Sequence, residues 1–200
     1  INGKLATLGD KINQNDNVDV RFRGKQKPYL YIAYNKPKGV VTHSAQGDDK
    51  EIKNVVAIKD IFPIGRLDKD SEGLIILTND GRITERLLGP KYVHEKEYVV
   101  KTKEPLRKSF KDKMEAGVKI DNEKTAPCKV QITGQRTFKV ILTEGKKHQI
   151  RRMCVALFQE VESLKRIRIM NIELNKTPPG SHREITGDEL QKFLHSLELA

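Results

Sequence analysis

Long hydrophobic runs, paired cysteines and phosphate-cradling glycine loops are all missing from this sequence, and each absence removes a class of protein. No apolar run approaches the ~20 residues that a membrane span requires, so no membrane partner is expected. Cys128 and Cys154 are the only cysteines. They stand in no metal-ligand spacing, which predicts two reduced thiols in a cytoplasmic protein and no metal site. Without a Gly-rich phosphate loop or a metal-binding pair of carboxylates, a nucleotide-dependent enzyme is a remote reading. Internal repeats and low-complexity tracts are absent too. The chain opens at Ile1 with neither an initiator Met nor a signal-peptide pattern, so it is expected to be a fragment, or a longer protein whose first residues are not in view.

What the sequence has in excess is positive charge. Its 200 residues allow one sizeable domain or two small ones, and 36% apolar residues suffice for a core. Charged residues reach 32%, against about a quarter in an average domain. The net charge of +11 points to a polyanionic partner, nucleic acid before membrane surface. Residues 145–170 alone hold seven Lys and Arg against Glu160 and Glu162, a net +5 and nearly half of the excess.

Read in order, residues 1–24 form a small β-rich piece, with turn signals at Asn2-Gly3 and Gly9-Asp10 and alternation over Val18-Asp19-Val20-Arg21-Phe22. Residues 25–28 form a linker. Residues 29–34, with three tyrosines, predict a strand that ends in the turn Asn35-Lys36-Pro37-Lys38-Gly39, with Val40 to Thr42 continuing as the next strand. Residues 45–53 read as a polar, mobile loop. A short helix over Ile83, Leu87 and Leu88 stops at Gly89-Pro90. Strands follow at residues 94–101, 127–132 and 137–142, with a helix over 106–116 between the first two. One long strand is predicted over 164–174. A last helix starts near Thr186, where Thr186 and Glu189 have capping-box spacing.

Two stretches carry chemistry. The first is Gly65-Arg66-Leu67-Asp68-Lys69-Asp70-Ser71-Glu72-Gly73, leading into the apolar run Leu74-Ile75-Ile76-Leu77. It reads as a charged loop before a buried strand. Asp68, between Arg66 and Lys69, stays ionised at neutral pH in such company, which suits a nucleophile better than a general acid. On charge alone, a solvated turn is the better reading. The second stretch runs from Lys146 to Phe158, where Ile150, Met153, Cys154 and Leu157 fall at helical spacing. Lys146, Lys147 and His148 crowd its N-terminus against the macrodipole, which makes an anion site there, phosphate being the obvious candidate.

In these motifs the sequence resembles a pseudouridine synthase of the RsuA family. Asn35-Lys36-Pro37-Lys38-Gly39-Val40, Gly65-Arg66-Leu67-Asp68, Ser71-Glu72-Gly73-Leu74, Lys96-Glu97-Tyr98 and Gly145-Lys146-Lys147-His148-Gln149-Ile150-Arg151-Arg152-Met153 match its pattern in order. Arg166-Ile167-Arg168-Ile169-Met170-Asn171-Ile172 and the stretch from Gly180 to Leu190 are most similar to the branch acting on large-subunit ribosomal RNA. Residues 1–24 resemble the last strands of an S4-type RNA-binding domain without its two helices, and residues 29–200 would be the catalytic domain. The implied fold is α/β (α+β), a mixed, largely antiparallel sheet in two halves with a basic cleft between them. Alternating short strands with four or five helices agree with it and do not suit a doubly wound parallel sheet.

The resemblance implies isomerisation of a uridine in ribosomal RNA, with transfer RNA as an alternative substrate, no cofactor, and a cytoplasmic monomer. Asp68 would be the nucleophile acting on a flipped-out nucleotide. Tyr98 would sit against the uracil and help to remove the carbon 5 proton, its plainer reading being an ordinary strand tyrosine. Arg151 would pair with Asp68, or else be a solvated helix arginine. Ile150 would pack beside the base, or be plain core. Arg66 would fill the space the nucleotide leaves or contact its phosphate. Lys146, Lys147, His148 and Arg152, with Lys36 and Lys38, would hold RNA without reading its sequence. The rival reading is a non-catalytic S4-type RNA-binding or ribosome-assembly protein, which explains the charge but not a carboxylate among cations.

Overall fold

The computed structural model describes residues 1–7, 10–19, 27–89 and 91–200. Among these, the chain runs β1 (Tyr31–Lys36), α1 (Ile52–Val55), β2 (Phe62–Ile64), β3 (Glu72–Thr78), α2 (Arg82–Leu88), β4 (Lys96–Thr102) and α3 (Phe110–Glu115). It continues with β5 (Lys119–Ile120), β6 (Glu123–Lys124), β7 (Lys129–Gly134), β8 (Thr137–Leu142), α4 (Gln149–Ala156), β9 (Val161–Ile169), β10 (Ile172–Glu173), β11 (His182–Glu184) and α5 (Gly187–Ser196). Nine strands make one sheet in the order β11-β1-β3-β9-β4-β8-β7, with β2 added on β3 and β10 on β9; β5 and β6 form a separate hairpin. The sheet is mixed and largely antiparallel, as the sequence predicts; β3 and β9 are its parallel pair.

Burial on both faces explains why the runs Tyr31 to Tyr34 of β1 and Leu74 to Leu77 of β3 are apolar rather than alternating. On one face Tyr31, Ala33, Leu74 and Ile76 pack against Ile83 and Leu87 of α2, Phe193 of α5 and Leu197 just after it. On the other, Ile32, Tyr34, Ile75 and Leu77 cover Val40, Ile52 and Leu67. The second half has its own core, in which Val100, Phe138 and Val140 of the sheet meet Phe110 and Met114 of α3 and Ile150, Met153 and Cys154 of α4. The halves meet at the short β3–β9 pairing, registered at Glu72 with Lys165 and Gly73 with Arg166. Only glycine fits there: Gly73 has φ +107, and a Cβ would lie 2.2 Å from the Arg166 carbonyl oxygen.

Several expectations need correction. Val40 to Thr42 form no strand, only a bridge from Val41 to Glu51. The polar stretch 45–53 ends in buried Glu51 and Ile52, the latter opening α1. The helix after Leu106 begins only at Phe110, following a turn closed by the Phe110 N–H on the Arg107 carbonyl at 2.9 Å. Residues 164–174 are a hairpin rather than one strand, reversing at Met170, whose φ is 52. The capping box of α5 does not form: Thr186 makes no side-chain cap, and Glu189 accepts two hydrogen bonds from Arg183 at 2.6 and 2.7 Å. Described residues 1–7 and 10–19 contain turns but no strand. Gly9, Val20 to Phe22, residues 25–26 of the linker and the Pro90 helix stop lie outside the described residues. Among the described residues no helix is long and apolar enough to cross a membrane.

Gly73→Ala should cost about 3 kcal/mol through backbone clash and a left-handed φ, lowering Tm by roughly 6–12 °C in calorimetry. An unchanged Tm would mean that the seam tolerates a side chain.

Candidate active site

The loop that precedes β3 is held by its carbonyl oxygens. The Leu67 carbonyl accepts from the Thr42 hydroxyl at 2.9 Å, and the Leu67 N–H donates back to that oxygen at 3.0 Å. Gly39 N–H donates to the Lys69 carbonyl at 2.8 Å, and Ser71 N–H closes a turn on the Asp68 carbonyl at 3.0 Å. Arg151 Nη2 reaches the Asp70 carbonyl at 3.0 Å and the Ser71 hydroxyl at 3.4 Å. Arg166, buried in β9, spans the loop: its Nε donates to Leu74 O at 2.7 Å and its Nη1 to Arg66 O at 3.4 Å. With Leu67 itself in the core, the backbone at Asp68 has little freedom left.

Asp68 therefore projects from a fixed base, its side chain 35% exposed. His148 lies beside it, with Nε2 3.3 Å from Oδ1. This corrects the expected pairing with Arg151, whose guanidinium is spent on the loop backbone instead. His148 caps α4 in the left-handed conformation, φ 52 and ψ 28, a rarely populated state for a residue with a side chain. Neither thiol competes as a nucleophile: both cysteines are free, and burial pushes Cys128 up to about 11 and Cys154 up to about 12.

The other residues singled out in the sequence divide by burial. Lys36 is fully buried, so it cannot meet RNA as expected. Its Nζ donates to Val40 O at 2.6 Å and Pro37 O at 3.0 Å, shaping the turn that meets Lys69. Burial pulls its ammonium down to about 8, against the opposing pull of Asp68, Asp70 and Glu72. Ile150 is 4% exposed and packs in the core of the second half, which favours its plainer reading. Lys146 pairs with Glu123 at 2.6 Å and Arg152 pairs with Asp121. Arg66, Lys38 and Lys147 are exposed, without an ion-pair partner among the described residues.

Tyr98 is brought towards the loop by register. A β-bulge between Glu97 and Tyr98 sets Tyr98 opposite Arg166, itself opposite Gly73. Bulges re-aim side chains in this way. The half-buried ring touches the cores of both halves. Sequence reasoning missed Thr42, Arg166 and the His148–Asp68 pair. A charged residue on the inward side of a strand, as Arg166 is between Leu164 and Ile169, was the available signal.

With this geometry established, comparison with known proteins identifies the class. The family model for RNA pseudouridylate synthase matches residues 30–156, and the chain belongs to the RNA pseudouridine synthase family. It is 42% identical over 203 residues to the dual-specificity RNA pseudouridine synthase RluF of Escherichia coli strain K12, covering 99% of this chain and 70% of that protein. To ribosomal large subunit pseudouridine synthase B of Bacillus subtilis strain 168 it is 37% identical over 206 residues, covering 96% and 84%. A crystal structure of a pseudouridylate synthase superposes with a TM-score of 0.77 at 29% identity, over 86% of this chain and 75% of that one.

The contrast between Lys36 and Lys38 is testable. Lys38→Ala should reduce the log–log salt slope of RNA binding by about 1, and Lys36→Gln should leave it unchanged, since a buried ammonium displaces no counterions. Equal changes would put Lys36 on the RNA. Lys36 also has a pH signature. With its native value near 8 against 10.5 ordinarily, the folded chain binds fewer protons than the unfolded one between those values. Its contribution to stability therefore rises with pH across that window. Denaturant titration should show the parent gaining on Lys36→Met from pH 8 to 10; a flat difference would contradict the depressed value.

Proposed function

We propose that this enzyme isomerises a uridine of large-subunit ribosomal RNA and that Asp68 is its nucleophile. The observation that carries the role of Asp68 is its setting: a part-exposed carboxylate on a loop held from Thr42, Gly39, Arg151 and Arg166. Such a site holds a pre-aimed group and spends no binding energy on ordering it. A non-catalytic RNA binder has no use for a fixed carboxylate, which repels phosphate. The large-subunit activity in the name of the Bacillus relative supports ribosomal RNA as the substrate.

The target uridine is extruded from its stack at a cost of a few kcal/mol. The bond from ribose carbon 1 to uracil nitrogen 1 breaks, the base turns, and carbon 5 bonds to the same ribose carbon. A proton leaves carbon 5 and nitrogen 1 gains one, so atoms balance without a redox partner or cofactor. Tyr98 lies against the base and assists loss of the carbon 5 proton. Arg151 acts through the loop, as a positioning residue. Arg66, Lys38 and Lys147 meet the phosphates, with His148 beside the nucleophile. Residues 1–24 belong to the end of an S4-like RNA-binding domain and residues 29–200 to the catalytic domain of a cytoplasmic monomer.

Tritium release from RNA labelled at uridine carbon 5 tests this. The parent should release tritium from large-subunit ribosomal RNA, assayed beside transfer RNA as the alternative substrate. Asp68→Asn should lose on the order of 10⁴-fold or more in rate while keeping RNA affinity. Parent-like release by Asp68→Asn would remove Asp68 from the chemistry.

A further inference from the structure

Helix α4 uses two faces for two purposes. Ile150, Met153 and Cys154 are buried in the core of the second half. His148, Arg151, Arg152, Val155 and Ala156, at the spacing i, i+3, i+4, i+7 and i+8, line the opposite face. That face borders a cavity of about 370 Å³ whose other wall is Lys119, Ile120 and Asp121. This is within the range of small-ligand sites, towards its lower end. The wall residues come from β5 and the turn after it, where Asp121 has φ 53.

The chemistry of the groove selects its occupant. Its floor is aliphatic: Val155, 64% exposed, and Ala156 lie open, with the buried Ile120 behind them. Its rim carries the cations Lys119, Arg151 and Arg152. The single carboxylate among the lining residues, Asp121, is already paired with Arg152. An apolar floor under a positive rim fits a flat, weakly polar ring attached to an anion. One end of the groove is His148, 3.3 Å from Asp68, so the groove starts at the nucleophile. From His148 to Ala156 the helix advances ~12 Å, which is room for one residue of a strand, not for a duplex.

We propose that this groove is a subsite for one unstacked nucleotide beside the target uridine, its base on Val155 and Ala156 and its phosphate between Lys119 and Arg152. The proposal rests on the synthase reading for the word target, and on the groove itself for the nucleotide. Bases lying on side-chain surfaces are the usual way in which single-stranded RNA is held. The subsite then favours RNA that can open its stack at two positions, which loops and bulges do more readily than a continuous helix.

The test uses transcribed large-subunit ribosomal RNA. Val155→Glu should weaken affinity about tenfold, the order expected for losing one base contact. The same change on edge strand β7, Ile132→Glu, should stay within about twofold of the parent. A benzophenone carried on Val155→Cys should crosslink at one nucleotide within a few positions of the uridine that releases tritium. Val155→Glu with parent affinity, or crosslinks that are absent or scattered, would overturn the proposal. Site-specific crosslinks from a chain that releases no tritium would support the RNA groove and contradict the synthase reading instead.

Discussion

The geometry of the candidate site depends on one close approach, the backbone of Gly73 against the backbone of Arg166. The two halves of the sheet share only that short parallel pairing, at Glu72 with Lys165 and Gly73 with Arg166. Because Gly73 has no Cβ, β9 can lie alongside the start of β3, and the Arg166 guanidinium can then reach both Leu74 O and Arg66 O. Arg166 is thus bonded to backbone on both sides of Asp68. Its Nη2 stays buried without a partner, so the clamp itself carries a desolvation cost that the fold offsets elsewhere.

The same seam explains how a carboxylate and a tyrosine from different halves come to share one cleft. The row Gly73, Arg166, Tyr98 crosses three neighbouring strands, which at about 4.8 Å per strand spans roughly 10 Å. The first half contributes the Asp68 loop and its Thr42 and Gly39 supports, and the second contributes Tyr98, His148 and Arg151. Two buried cations, Lys36 and Arg166, lie under the loop. Burial lowers Lys36 and Lys96, with Arg166 adding to the effect on both.

Much of this was legible in the sequence because it is local. The run Leu74-Ile75-Ile76-Leu77 is a strand buried on both faces, β8 falls at residues 137–142 as read, and the α4 periodicity sorts its core residues correctly. The motifs also marked Asp68 and its loop. What was not legible is non-local. Whether Lys36 faces solvent or interior follows from β1 being fully covered, and whether Arg151 meets the Asp68 carboxylate or the loop backbone depends on how α4 docks. Thr186 and Glu189 have the right spacing for a cap, but Arg183 on β11 claims the carboxylate. Turns that reverse at a non-glycine residue, as at Met170, leave no composition signal.

The central claim is that the loop is held for the benefit of Asp68, and Arg166→Gln tests it most directly. Arg166 is 4% exposed, so it cannot touch RNA. The single-turnover rate of tritium release should fall on the order of 10²-fold, the cost of a small misplacement of a reacting group, with RNA affinity and cooperative unfolding retained. A parent-like rate in a folded variant would contradict the account, and so would a loss confined to RNA affinity.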